Sequence, residues 1–209
     1  MCRVLCLLLA LLLPGTCSAL EIRRIAACSG LVLRLRGDFH EGDYLRFKSH
    51  FKRNGLVVGL DLSSDGGDLE EGLMIAGLVH RKKLTVFVAD ECYSVCVDIF
   101  FAAAKRYFGA DSRIGVHSVS NHRDIEDAGS KLLTMKLARL WAQQGVPNSA
   151  IGKMVTTRPE RITFLDQADL TALDAASGNP FVYNAEKWSE AGPALQQNCS
   201  SGEARNAAK

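Results

Sequence analysis

The sequence predicts an α/β domain built on a mainly parallel sheet. Short runs rich in β-branched and aromatic residues alternate with longer segments whose apolar residues recur at helical spacing. Strands that alternate with helices pair in parallel through right-handed crossovers. Three polar motifs each follow one of the predicted strands, and ligands of parallel sheets bind at the carboxyl ends of the strands. We therefore expect the three motifs at one edge of one sheet.

The amino-terminal segment has the pattern of a secretory signal peptide. Arg3 is followed by an apolar run up to Leu13, which is short for a membrane span, and then by small residues up to Ala19. We predict a signal peptide over residues 1–19 and a periplasmic or secreted mature protein. The alternatives are a buried N-terminal helix or membrane anchor, and a lipoprotein attached at Cys17.

Length and charge constrain the rest of the chain, which has 209 residues in all. Residues 20–183 fit one domain with a sizeable core, whereas residues 184–209 are predicted to form a partly disordered tail. The formal net charge of +2 comes without a basic stripe, which does not favour a nucleic-acid partner. We expect no membrane span after the signal segment.

The elements follow from hydrophobic periodicity. Strands are predicted over residues 29–39, 56–62, 84–89 and 114–117. The first helix is predicted to begin near Gly42, with Tyr44, Phe47 and Phe51 on its core face. Further helices are predicted over residues 69–80, 97–104, 124–144, 148–154 and 167–173. The amphipathic helix over 124–144 can pack on its own domain or on a second copy, because an apolar stripe does not identify its partner.

A glycine pair follows the strand over 56–62. Gly66 and Gly67 separate this strand from the next helix. Adjacent glycines permit positive φ and bring a backbone N–H close to a ligand. The same pair is also common in tight connections that have no other role.

A serine stands between the strand over 84–89 and the following helix, in the run Cys92-Tyr93-Ser94-Val95-Cys96. A hydroxyl at this place can act as a nucleophile beside the free N–H groups of the first helical turn. Capping the helix is the commoner role of a serine before a helix. The fourth strand then ends in Gly115-Val116-His117, where His117 is either a general base or a hydrogen-bonded strand-end residue.

The order of these motifs resembles that of a known superfamily. Ser63-Ser64-Asp65-Gly66-Gly67, then the run from Cys92 to Cys96, then Gly115-Val116-His117 is similar to the Clp protease proteolytic subunit and the wider ClpP/crotonase superfamily. Uncharacterised secreted or periplasmic members with a Cys-x-Ser-x-Cys box look most similar. The resemblance spans roughly residues 30–174. It implies a ClpP/crotonase-like spiral of ββα units and a homo-oligomer contacted through the helix over 124–144.

The residues and the resemblance together predict a serine hydrolase, specifically a peptidase that acts on a peptide or acyl substrate. Ser94 would be the nucleophile and His117 the general base. The backbone amides of Gly67 (or Gly66) and Val95 would form the oxyanion hole. This chemistry needs no cofactor and no metal.

Asp166 is the candidate for the third, acidic catalytic residue. It falls in the region where the resembled family has its acid, although aligning Glu160-Arg161 with the family's Glu-Arg-Asp places Ile162 at that position. Asp166 also precedes a helix, and capping that helix is its alternative role. Without an acid, Ser94 and His117 would form a dyad.

The cysteines suggest disulfides, because four of the seven remain after signal cleavage and the protein is expected to be exported. Cys28, Cys92, Cys96 and Cys199 allow three pairings. The spacing of four residues favours Cys92 with Cys96, which would brace the loop around Ser94 and leave Cys28 with Cys199. A metal pair at Cys92 and Cys96 is the alternative, but it would need two more ligands.

Two other functions remain open at this stage. Tyr93, Val95 and Asp98 are bulkier or more polar than the small residues expected around the serine, which favours a catalytically inactive interaction or scaffold protein of the periplasm. A crotonase-type acyl-thioester enzyme would use the glycine turn without the serine. Export argues against it, because coenzyme A thioesters are cytosolic substrates.

Overall fold

The computed structural model describes residues 19–121, 123 and 125–183. Cys199, nearly all of the predicted signal peptide and the tail over 184–209 lie outside the described residues.

The described residues contain eight strands and six α-helices that alternate as the sequence predicts for most of the chain. In order they are β1 (Glu21–Ala27), β2 (Gly30–Arg36), α1 (Asp43–Ser49), β3 (Val57–Ser64), α2 (Leu69–Lys82), β4 (Thr85–Tyr93), α3 (Val95–Phe101), β5 (Lys105–Phe108), β6 (Arg113–Val116), α4 (Ala128–Gln143), α5 (Asn148–Thr156), β7 (Thr163–Phe164), α6 (Gln167–Ala172) and β8 (Ala175–Ser177). A short 3-10 turn, His50–Lys52, extends α1.

The strands form one sheet in the order β1-β2-β3-β4-β5-β8. The pairs from β2 through β8 are parallel, and β1 lies antiparallel to β2 at one edge. The predicted α/β class with a mainly parallel sheet is therefore confirmed.

Strand β4 pairs with two different neighbours along its length. Its first half, Thr85 to Val88, is parallel to β5. Its second half, Glu91 to Tyr93, is parallel to β6, which also pairs with β7. The fork brings the end of β6, and the histidine that follows it, beside the end of β4.

The main core lies between the sheet and the helices. Leu33 and Leu35 of β2, Leu60 and Leu62 of β3, and the apolar face of α3 are fully buried there. Side chains alternate between the faces of a strand, so Val32 and Phe87 lie on the other face. There they pack with Phe181, whose chain segment covers this face as a second, smaller cluster.

A buried charge links the sheet to that covering segment. The carboxylate of Asp61 in β3 accepts hydrogen bonds from Arg34 Nε (2.9 Å), Arg36 Nη2 (2.7 Å) and Tyr183 Oη (2.9 Å). Burial, and next the negative charge of Asp61, raise the pKa of Tyr183. The network joins parts of the chain that are far apart in sequence, because Tyr183 lies 122 positions after Asp61.

Some boundaries differ from the sequence-based prediction. Helix α3 begins at Val95 rather than 97, directly after Ser94, and α4 begins at Ala128 rather than 124 because Asp127 and Ser130 form a capping box. Strands β1, β5, β7 and β8 were not predicted. Charged residues interrupt the apolar pattern of β1 and β5, and β7 and β8 have only two and three residues. None of the helices in the described part of the chain is both long and apolar enough to cross a membrane.

Candidate active site

Ser94 forms a sharp turn between β4 and α3. Its backbone has φ 55° and ψ −131°, a conformation that costs a non-glycine residue about 1–3 kcal/mol and is found at functional sites. The Ser94 N–H donates to Gly115 O (3.1 Å), and its carbonyl accepts from Val97 N–H (2.9 Å), so the turn is fixed on both sides. A strand–serine–helix turn of this kind presents the hydroxyl away from the sheet.

The hydroxyl of Ser94 is not used as a helix cap. Ser94 occupies the N-cap position of α3, but its side chain accepts no capping hydrogen bond. Among the described residues, no other group is hydrogen-bonded to Ser94 Oγ either. The capping role that is commonest for a serine at this place is therefore not the role of Ser94.

Two glycines outside the Ser94 turn allow neighbouring segments to pack closely against it. A Cβ on Gly66, whose φ is +116°, would lie 2.7 Å from the Cβ of Ser94. A Cβ on Gly72 would lie 2.3 Å from Val95 Cγ2. These approaches are closer than any side chain allows, so Gly66 and Gly72 let the glycine turn and α2 pack directly on the serine turn.

The predicted disulfide between Cys92 and Cys96 is confirmed. It joins the end of β4 to the first turn of α3, so the bridge spans the segment that contains Ser94. Both cysteines are fully buried, and their pairing excludes the alternative of a metal pair. Cys28 is not a free thiol, and the partner proposed for it, Cys199, lies outside the described residues.

Of the two glycines, Gly67 has the available amide. Gly66 N–H donates to Ser64 Oγ (3.1 Å), which commits it within its own turn. Gly67 N–H has no partner among the described residues, and Gly67 lines the same cavity as Ser94 and Val95. Phe39 holds the turn in place, because Phe39 N–H donates to Gly66 O and Phe39 O accepts from Asp68 N–H, both at 2.8 Å.

Val95 supplies a second available amide. It is the first residue of α3, and the first N–H groups of a helix have no partner within the helix. Val95 lines the cavity together with Gly67. Gly67 and Val95 thus provide two backbone N–H groups at the cavity that Ser94 lines, and a pair of such donors is what an oxyanion hole requires.

His117 follows β6 and lines the same cavity as Ser94. Its Nδ1 lies 2.8 Å from the carbonyl oxygen of Ser118. A carbonyl can only accept, so Nδ1 carries a proton, and in the neutral imidazole the lone pair is then on Nε2. Within the described residues, Ser94 and His117 are not hydrogen-bonded to each other, as is common before a substrate is bound.

The carbonyl that orients His117 is itself firmly held. Ser118 is fully buried, its N–H donates to Thr157 O (2.8 Å), and its Oγ donates to Glu126 Oε1 (3.1 Å). The next residue, Val119, donates its N–H to Thr134 Oγ1 (2.9 Å) in α4. The imidazole tautomer is therefore set by backbone anchored to α4 and to the end of α5.

Asp166 caps α6 rather than contacting His117. Its Oδ1 accepts from Ala168 N–H (2.9 Å) and Asp169 N–H (3.0 Å), and its Oδ2 accepts from Lys153 Nζ (2.8 Å). The hydrogen bond from Lys153 is the main cause of the lowered pKa of Asp166. In this arrangement the Ser118 carbonyl, and not a carboxylate, is the partner of His117.

The cavity beside Ser94 has a volume of about 410 Å³. Apolar side chains form much of its lining: Val95, Val116, Val119, Leu137 and Trp141. The bulky residues near the serine do not close it, since Tyr93 packs edge-on against Phe164 with ring centroids 5.9 Å apart. Burial, and next its hydrogen bond with Glu91, raise the pKa of Tyr93 to about 12.

Asp98 is a buried acidic residue on the wall of this cavity. It lines the cavity one helical turn after Ser94 and is 4% exposed. Trp141 Nε1 donates to Asp98 Oδ1 (2.6 Å). Burial raises the pKa of Asp98 to about 7, against the opposing effect of the Trp141 hydrogen bond.

Sequence comparisons find no match: no family model matches the chain, and neither does a curated protein. Comparison with solved structures does find similar proteins. ClpP1 from Listeria monocytogenes aligns with a TM-score of 0.52 at 17% identity, over 71% of this chain and 91% of that chain. The fold is that of the ClpP proteases. A mutant of the same ClpP1 gives a TM-score of 0.52 at 16% identity, over 71% and 92% of the two chains.

A second protease has a similar structure. A mutant of the membrane-bound stomatin-specific protease 1510-N aligns with a TM-score of 0.51 at 14% identity, over 69% of this chain and 77% of that chain. At such identities the likeness concerns the ClpP-like fold alone. The chemistry of the site therefore rests on the residues of this chain.

The structure brings Gly67, Ser94, Val95 and His117, which follow three different strands, to the lining of one cavity, as the motif order suggested. Sequence reasoning missed the Ser118 carbonyl, which has no signature because every residue has a carbonyl. It also missed the Asp98–Trp141 hydrogen bond, although the spacing of Ser94 and Asp98 already placed them on one face of a helix.

Proposed function

We propose that the protein is a serine hydrolase, and specifically a peptidase, with Ser94 as its nucleophile. The observation that carries the proposal is the hydroxyl of Ser94. It stands at a strained turn, is not used as a cap, and lines one cavity with a histidine of fixed tautomer and two available amides.

In the proposed reaction, Ser94 Oγ attacks the substrate carbonyl while its proton passes to Nε2 of His117. The carbonyl oxygen becomes an oxyanion, which accepts hydrogen bonds from Gly67 and Val95 N–H. The C–N bond then breaks as the leaving amine takes the proton from His117, which leaves an acyl group on Ser94. His117 then takes a proton from water, which attacks the ester carbonyl. The bond between the acyl carbon and Ser94 Oγ breaks, the acid is released, and His117 returns the proton to Oγ.

The Ser118 carbonyl would serve His117 in place of an acid. It fixes the tautomer, which is one of the two roles of the aspartate in a triad. A neutral carbonyl stabilises the imidazolium less than a carboxylate does, so we expect a slower enzyme than one with a full triad.

We propose that the mature protein is exported to the periplasm or secreted. Residues 1–19 have the signal-peptide pattern, and a buried structural disulfide between Cys92 and Cys96 suits an oxidising compartment. Intact mass of the protein recovered from the exporting host should correspond to a chain that begins at Leu20. A mass that includes residues 1–19 would contradict this assignment.

We also propose that two or more copies associate through α4. Leu132, Leu133 and Met135 lie within one turn of this helix and are 54%, 44% and 65% exposed, and a cluster of exposed apolar side chains is typical of an interaction surface. Sedimentation should show an oligomer that Leu133→Glu with Met135→Glu dissociates. A monomeric wild type at micromolar concentration would contradict the assignment.

Covalent labelling tests the proposed function. A fluorophosphonate should label the wild type, Ser94→Ala should lose labelling entirely, and His117→Ala should lower its rate on the order of a thousandfold. Ser120→Ala is the matched control, because Ser120 also lines the cavity and should not be needed. A folded wild type that resists labelling would refute the hydrolase and leave an inactive scaffold as the working function.

A further inference from the structure

Asp98 is a buried acid without a cationic partner. Its only hydrogen bond with another side chain in the described part of the chain is the one from Trp141 Nε1, and no lysine or arginine there forms an ion pair with it. The other buried aspartates differ: Asp43 pairs with Arg46, Asp61 with Arg34 and Arg36, and Asp169 with Lys153. A carboxylate taken out of water without such a partner is costly.

The cavity gives Asp98 access to a ligand next to the nucleophile. Asp98 and Ser94 line the same space, four residues apart, which corresponds to about 6 Å along a helix axis. The apolar wall of Val95, Leu137 and Trp141 lies around it. A lysine side chain fits such a site, because its four-carbon stem can contact the apolar wall while its ammonium group pairs with the carboxylate of Asp98.

The charges around the cavity favour a cation. Asp68 lines it together with Asp98, and no lysine or arginine is found among the described residues that line it. A separate depression is also acidic. It is lined by Asp38 after β2, Asp65 after β3 and Asp90 within β4. An excess of negative charge raises the local concentration of cationic substrate segments.

We propose that Asp98 is a specificity-determining residue, which selects substrates that carry a positively charged side chain, such as lysine, on the acyl side of the scissile bond. This inference rests on the proposed hydrolase function of Ser94. The cation would supply the partner that Asp98 lacks, while the hydrogen bond from Trp141 holds the carboxyl in place. Binding would be specific for charge, because the surrounding wall accepts the stem of either a charged or a neutral side chain.

Two peptidyl diphenyl phosphonates test the inference: one has lysine and the other norleucine at the acyl-side position, so they share the four-carbon stem and differ only in the terminal ammonium group. A fluorophosphonate without a peptide reports whether Ser94 is reactive at all. We expect the wild type to react at least tenfold faster with the lysine probe than with the norleucine probe. In Asp98→Asn the ratio of the two rates should fall to about one.

The control is Asp43→Asn, which changes a buried aspartate outside the cavity and should keep the wild-type ratio. If Asp98→Asn shows no cooperative melting transition, the same comparison is made with Asp98→Ser, which also removes the charge. The inference would be overturned if the wild type reacted equally fast with the lysine and norleucine probes, or if the variants without the Asp98 charge kept the preference for lysine. In either case, labelling of Ser94 by the fluorophosphonate would still support the hydrolase function. Failure of all three probes to label Ser94 would overturn both proposals.

Discussion

Replacing Asp98 by asparagine should make the protein more stable at neutral and alkaline pH. Asparagine keeps the oxygen that accepts from Trp141 Nε1 but cannot ionise. The wild-type carboxyl has a pKa of about 7 in the folded protein, raised from 3.8 by burial. Between pH 4 and 7 the folded state therefore holds a proton that the unfolded state has lost, and stability falls as pH rises through this window.

The magnitude follows from the size of the pKa change. At ~1.4 kcal/mol for each pH unit, the rise from 3.8 to about 7 corresponds to about 4 kcal/mol. The free energy of unfolding of Asp98→Asn, minus that of the wild type, should thus increase by about 4 kcal/mol from pH 4 to pH 8. Below pH 4 and above pH 8 the difference should be flat.

Urea denaturation of the two proteins at pH 4, 5, 6, 7 and 8 measures this difference directly. Other groups that titrate in this range contribute equally to both proteins and cancel. Parallel pH profiles would show that Asp98 is ionised normally in the folded state, and would refute the account of a buried acid without a cationic partner.

Three further changes test other parts of the structure. Gly66→Ala should lower fluorophosphonate labelling at least tenfold and lower the melting temperature, because the new Cβ would lie 2.7 Å from that of Ser94; normal labelling would contradict the close packing. The double variant Cys92→Ser, Cys96→Ser should lose about 2 kcal/mol of stability in urea denaturation, and an unchanged midpoint would show that the bridge is dispensable. Asp61→Ala should cost about 1.5–3 kcal/mol in the same assay, since Arg34, Arg36 and Tyr183 lose a hydrogen-bonded carboxylate but the arginines remain partly exposed; a cost below 0.5 kcal/mol, about the uncertainty of the measurement, would contradict the network.

Strong hydrophobic patterns made the central sheet predictable from the sequence. The runs before Gly66 and before Cys92 are apolar and β-branched, and they form β3 and β4 nearly as expected. Strand β8 could not be found in this way, because its three residues, Ala175–Ser177, have no pattern and form a strand only through pairing with β5.

Three residues of the candidate site could be predicted from their type and their position at the ends of predicted strands. A glycine pair, a serine before a helix and a histidine at a strand end indicated Gly67, Ser94 and His117 together. The partner of His117 was not predictable, since it is a backbone carbonyl and no residue type marks it. Ser118, which supplies the carbonyl, is held by hydrogen bonds with Thr157 and Glu126. Asp166 was the natural candidate by residue type, but its capping geometry and Lys153 hold it elsewhere.

A crystal structure of the phosphonylated protein would test the central claim most directly. We predict a covalent bond between phosphorus and Ser94 Oγ, with the phosphoryl oxygen at hydrogen-bond distance from both Gly67 and Val95 N–H. The imidazole of His117 should keep Nδ1 on the Ser118 carbonyl and direct Nε2 towards Ser94 Oγ. An adduct on another side chain, or a phosphoryl oxygen directed away from both amides, would contradict the proposed mechanism.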